Sequence, residues 1–141
     1  MAEKLNLFHR PDWTEREAAM KNPQVLAFVG DGVFELFARN LILREGGKVG
    51  DYHRRASQIV CAPHQALWAD ALGDFWTEEE AGVYRRGRNT HQKTKAKNAT
   101  AGDYQKATGL ECVLGYLYLA GQDQRLKAVL DEMERMWLSE S

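Results

Sequence analysis

Apolar residues concentrate in two long stretches that carry few charges on any side. From residue 25 to 44 they fill the row Leu26, Val29, Val33, Leu36 and also the row Phe34, Phe37, Leu41. Two adjacent rows at helical spacing predict a helix buried on most sides. Asn22 suits its N-cap, Pro23 its first turn, and Gly46-Gly47 its end. Residues 104 to 120 predict a second largely buried helix, closed by Gly121. Between them, Asp51 is the expected cap of a helix carrying Ile59, Val60, Leu67 and Leu72. Pro63 is expected to kink or break it, and Gly73 to close it. Thr77-Glu78-Glu79-Glu80 has the spacing of a capping box, with Thr77 at the cap and Glu80 three residues on. Residues 123 to 138 show one apolar stripe through Leu126, Val129, Leu130, Met133 and Trp137, the mark of an amphipathic helix. No stretch alternates convincingly with period two, so the expected fold class is all-α.

Composition changes this picture little. The chain has 141 residues, 44% hydrophobic and 28% charged, which suits one globular domain with a core of its own. No apolar run reaches the ~18 residues that span a bilayer. The N-terminus lacks the layout of a signal peptide. Cys61 and Cys112 are too few for a disulfide framework. These features lead us to expect a cytoplasmic protein that is not membrane-bound.

Charge matters through its distribution. The formal net charge is −1, yet residues 81 to 102 hold six cations and no acid: Arg85, Arg86, Arg88, Lys93, Lys95 and Lys97. Residues 89 to 102 are polar and aperiodic and read as a basic loop. Such a cluster can neutralise phosphates, and binding of that kind weakens as salt rises. The plainer alternative is a solvated basic loop.

Three acids stand out against apolar surroundings. Asp31 lies between Gly30 and Gly32 in Phe28-Val29-Gly30-Asp31-Gly32-Val33-Phe34. Each glycine costs a helix ~1 kcal/mol against alanine, a cost more readily kept where a backbone must come close or a side chain needs space. Glu35 follows one turn later on the same face. Glu111 opens the run Cys112-Val113-Leu114-Gly115-Tyr116, and Gly115 is expected to leave room beside it. Two isolated carboxylates on two apolar helices are suited to a hard, oxygen-liganded ion such as Mg²⁺. The same acids could instead close helix ends or pair with arginines. The four histidines show no zinc-type spacing, and Cys112 is expected to be an inert core thiol.

The residues around Asp31 and Glu111 resemble a known family. The stretch from Phe28 to Glu35 is similar to the signature helix of ribonuclease III catalytic domains. The stretch from Leu110 to Leu119 resembles that family's second metal-binding helix. His53-Arg54-Arg55-Ala56-Ser57, Gln65-Ala66, Thr77-Glu78-Glu79-Glu80, Arg85-Arg86-Gly87-Arg88-Asn89 and Tyr104-Gln105-Lys106-Ala107-Thr108-Gly109 resemble the Mini-ribonuclease III subgroup. The similarity runs from about residue 24 to 121. Full-length members of the wider family usually carry a glutamate where this chain has Ala27 and an aspartate where it has Thr108. They also append a double-stranded-RNA-binding domain that this sequence does not contain.

The resemblance implies a homodimeric all-α endonuclease fold, with residues 1–141 as one catalytic domain whose core spans about 22–139. It implies Mg²⁺-dependent endonucleolytic cleavage of double-stranded RNA, leaving 5′-phosphate and 3′-hydroxyl ends. It further implies maturation of the large-subunit (23S) ribosomal RNA precursor in bacteria or, for a plant source, in the plastid stroma. A ribosomal protein could assist. On this reading Asp31 and Glu111 hold the metal and orient the attacking water, and Glu35 is a helper acid. Arg85, Arg86, Arg88, Lys93, Lys95 and Lys97 touch RNA. The competing expectation is a catalytically silent RNA-binding or ribosome-assembly module on the same scaffold. Retention of both Asp31 and Glu111 speaks against it.

Overall fold

The computed structural model describes residues 5–90 and 100–140. Seven α-helices appear there: α1 (Glu15–Ala19), α2 (Pro23–Glu45), α3 (Tyr52–Val60), α4 (Ala62–Ala71), α5 (Glu78–Arg88), α6 (Ala101–Leu119) and α7 (Asp123–Ser139). No strand occurs among the described residues. No helix there is long and apolar enough to cross a membrane.

The central element is α6. It buries eleven residues, from Ala107 to Leu119, which is why its sequence is apolar all round. α2, α4 and α5 pack against it as its main neighbours, and α7 also touches it. Trp68 of α4, Phe34 of α2 and Met133 of α7 fill the core beside Leu110, Leu114 and Leu117.

The α2–α6 crossing depends on two glycines. A Cβ added at Gly30 would overlap the carbonyl of Glu111, and one at Gly115 would overlap the carbonyl of Leu26. The two backbones therefore touch with nothing between them. Gly115 does not leave room beside Glu111, as expected from the sequence; α2 occupies that space.

Helix ends follow local chemistry. Asn22 accepts from the Gln24 N–H at 2.8 Å to open α2, and Gly46 closes it at φ +81°, the left-handed region that favours glycine. Thr77 and Glu80 form both arms of the capping box of α5, each at 3.1 Å. One helix-end expectation is corrected and another holds. Asp51 makes no capping bond; its carboxylate lies 3.7 Å from Arg54. The break expected at Pro63 is present: α3 ends at Val60 and α4 starts at Ala62, with Cys61 extended between them. Pro63 sits in the first turn of α4, where its missing N–H costs nothing. The start of α6 also differs: Thr100 caps it through the Asp103 N–H at 3.0 Å, four residues before the predicted start.

Candidate active site

Asp31 and Glu111 face one another across the α2–α6 crossing. Gly30 sets Asp31 directly beside the point where the Glu111 backbone meets α2. Both acids line a cleft of about 550 Å³ whose wall also includes Gln24, Ala27, Gln65, Tyr104 and Thr108. Among its described lining residues there is no lysine or arginine.

Glu111 is consequently a reluctant anion. Its carboxyl pKa is pushed up from 4.5 to about 8, first by burial, then by a hydrogen bond to Asp31 and by that residue's charge. Gln65 pulls in the opposite direction, and the charge of Glu35 adds a smaller push upward. Burial and the neighbouring acid both disfavour the charged form of Glu111, and a divalent ion between the two carboxyls would offset that. The donors are hard oxygens, which suit Mg²⁺. Among the described residues no group of three or more His, Cys, Asp or Glu could hold a metal. An ion here would have two protein carboxylates and would keep several waters, as Mg²⁺ commonly does.

The other predicted residues are placed differently. Glu35 does not line the cleft; it lies 3.6 Å from Arg39, one turn along α2. Arg85, Arg86 and Arg88 are on α5 and none lines the cleft. Arg86 donates to the Ala19 carbonyl at 2.6 Å, and Arg88 lies 5.8 Å from the Tyr84 ring centre. Lys93, Lys95 and Lys97, with most of the expected basic loop, lie outside the described residues. Cys112 is fully buried, and burial first raises its thiol pKa to about 12, consistent with an inert core thiol.

Ala27 and Thr108 both stand in the cleft wall. The positions where full-length ribonucleases III usually add acids are thus uncharged at this site. Sequence reading gave no role to Gln65, which shares the cleft with both carboxylates. The available signal was a polar residue within the apolar run Ala62 to Ala69.

The helical fold and the paired carboxylates on α2 and α6 define a nuclease of the ribonuclease III class, and residues 24–122 match the model of the Ribonuclease III domain family. The chain belongs to that family and, within it, to the Mini-ribonuclease 3 endoribonucleases. It is 40% identical over 121 residues to the Mini-ribonuclease 3 of Clostridium tetani, covering 84% of this chain and 80% of that one. It is 43% identical over 109 residues to the Mini-ribonuclease 3 of Symbiobacterium thermophilum, covering 77% and 84%. A crystal structure of a Fusobacterium nucleatum protein superposes with a TM-score of 0.71 at 26% identity, over 88% of this chain and 93% of that one.

Proposed function

We propose that the protein cleaves double-stranded RNA with Mg²⁺ held by Asp31 and Glu111, and that its substrate is the precursor of 23S ribosomal RNA. The observation that carries the reading is the pair of carboxyls converging in a cleft whose described wall has no cation. A bound Mg²⁺ would supply an activated water and offset charge on the phosphate. Asp31 and Glu111 would hold the ion through oxygen atoms, and loss of the Glu111 proton would accompany its binding. The α2–α6 backbone contact keeps the two carboxylates together before RNA arrives, so little reorganisation is needed. The resemblance to ribonuclease III implies that this hydrolysis leaves 5′-phosphate and 3′-hydroxyl ends.

The RNA surface is proposed to include Arg85, Arg86 and Arg88 of α5 together with Lys93, Lys95 and Lys97. A-form RNA offers little base information in its deep groove, so these cations would read shape and phosphate. A two-fold dimer is proposed through the outer face of α2. There Val25, Phe28 and Leu36 are exposed, Phe28 at 82%, and exposed apolar residues in register suit an isologous contact. A ribosomal protein that presents the precursor is a further expectation of this reading.

The test is cleavage of duplex RNA with and without Mg²⁺. Asp31→Asn and Glu111→Gln keep shape and remove charge. Each is expected to lower the rate by at least ~100-fold with the helical content unchanged. Cleavage at the wild-type rate by either variant would sink the assignment. Retention of RNA without cleavage by the wild type would favour the silent binding module.

A further inference from the structure

Gln65 sits in α4, just after the junction with α3, and is 4% exposed. Its Nε2 donates to the Val60 carbonyl at 2.8 Å. Val60 is the last residue of α3, where carbonyls run short of helical partners, so this arm of the amide has a structural use. The other arm does not. Its Oε1 is buried and meets no donor among the described residues. A buried polar atom left so costs ~1–3 kcal/mol, and orphans of this kind usually mark a water or ion. An apolar side chain of the same length would avoid that cost.

The position of the side chain indicates what the oxygen awaits. Gln65 lines the cleft with Asp31 and Glu111 and lies in hydrogen-bonding reach of Glu111. Ionised carboxylates offer no donor to an amide oxygen. A water on a divalent cation does, and its protons are strongly polarised. A ribose hydroxyl is also an O–H donor, and binding of RNA without metal separates it from a water on the ion.

We propose that Gln65 is a positioning residue of the cation site: its amide N–H group holds α3 and steadies the Glu111 carboxylate, and its Oε1 accepts a hydrogen bond from a water on the bound ion. This rests on the cation site of Asp31 and Glu111 proposed above.

The experiment titrates the metal-free full chain with Mn²⁺ without RNA and follows free Mn²⁺ by its paramagnetic resonance. Gln65→Met keeps the volume and removes both polar arms. It is expected to bind Mn²⁺ ~10-fold more weakly, the usual size for loss of an outer-shell partner. Gln65→Glu keeps an oxygen at Oε1, loses the donors to Val60 and Glu111, and sets a third carboxylate beside the ion. It is expected to bind Mn²⁺ at least as tightly as wild type while unfolding at a lower temperature. A loss in Gln65→Met without a loss in Gln65→Glu marks positioning; a purely structural role would lower stability and move Mn²⁺ affinity alike in both variants. Wild-type affinity in Gln65→Met, or weakened binding in Gln65→Glu, overturns the inference. If Gln65→Met does not fold, Gln65→Glu decides alone. Duplex-RNA affinity in chelator is expected to match wild type in Gln65→Met; a loss there would assign Oε1 to a ribose hydroxyl instead and overturn the water. Asp31→Asn is the control. If it retains Mn²⁺ binding, the cation site itself is wrong; if it loses binding while Gln65→Met does not, only the role of Gln65 fails.

Discussion

Glu80 and Glu111 are both largely withdrawn from water, and their company is opposite. Glu80, 1% exposed, accepts from Arg125 at 2.8 and 2.9 Å and from the Thr77 N–H at 3.1 Å. Arg125 in turn donates to the Phe75 carbonyl at 2.6 Å and lies 4.5 Å from the Phe75 ring centre. Every oxygen of Glu80 has a dedicated partner, so that site is closed. Glu111 meets Asp31, another acid, and keeps its proton up to about 8. The first carboxylate ties α5 to α7. The second is held in readiness at a cost in folding energy, and the difference separates an acid that serves the fold from one that serves a ligand.

Three experiments probe that contrast, in falling order of expected effect. Arg125→Met strips the closed site of its cation and leaves Glu80 buried and alone. Breaking such a pair costs ~3–5 kcal/mol, measurable by denaturant unfolding. Adding Glu80→Gln should recover part of the loss. A cost under ~1 kcal/mol would place Glu80 among ordinary surface acids and dissolve the comparison.

The open site predicts a pH dependence of the opposite kind. The folded-state pKa of Glu111, about 8, lies above the ~4.3 of an unfolded glutamate. Between those values the folded chain keeps a proton that the unfolded chain has released. Stability of the chelator-treated protein should therefore fall as pH rises through that window, by at most ~1.4 kcal/mol per pH unit. Glu111→Gln has no such proton, so its thermal midpoint should follow a flatter profile. Superimposable profiles for the two proteins would show that Glu111 is an ordinary acid.

The smallest effect belongs to Gly32. A Cβ there meets nothing within 4 Å. Gly32→Ala should raise the stability of a lone protomer by up to ~1 kcal/mol, the helix preference for alanine. Thermal unfolding at concentrations where sedimentation shows monomer checks it. If the outer face of α2 seats a second copy, the same variant should weaken the dimer.

Much of the architecture was legible from apolar periodicity and helix-end signals. α2 and α7 run close to their predicted bounds, because each has an apolar pattern and a chemically marked end. The errors fall where burial does not write the sequence. Ala101, Gly102 and Asp103 of α6 are small and largely solvent-facing, so the helix began before its apolar pattern did. Pro63 marked the break between α3 and α4 correctly, because a proline that breaks one helix also suits the first turn of the next. Asp31 and Glu111 drew attention as lone charges in apolar runs, and the structure sets them side by side. Glu35 had the right helical face and yet lies outside the cleft lining. Gln65 was legible only as a polar residue in an apolar run, because an uncharged amide gives no sign in sequence of whether its oxygen is satisfied. Ala27 and Thr108 stood out only by comparison with other ribonucleases III, and the structure then placed both in the cleft wall.

The bare contact between Gly30 and the Glu111 backbone has a mechanical consequence. Two helices resting main chain on main chain cannot come closer, and the contact contains no side chain that could change rotamer and let them spread. The crossing therefore works as a gauge block for the pair of acids it carries. Repacking among Phe34, Trp68 or Met133 can raise or lower the melting temperature while the span between the carboxylates stays fixed. Durability and the fit of the ion can thus drift, or be engineered, as separate properties.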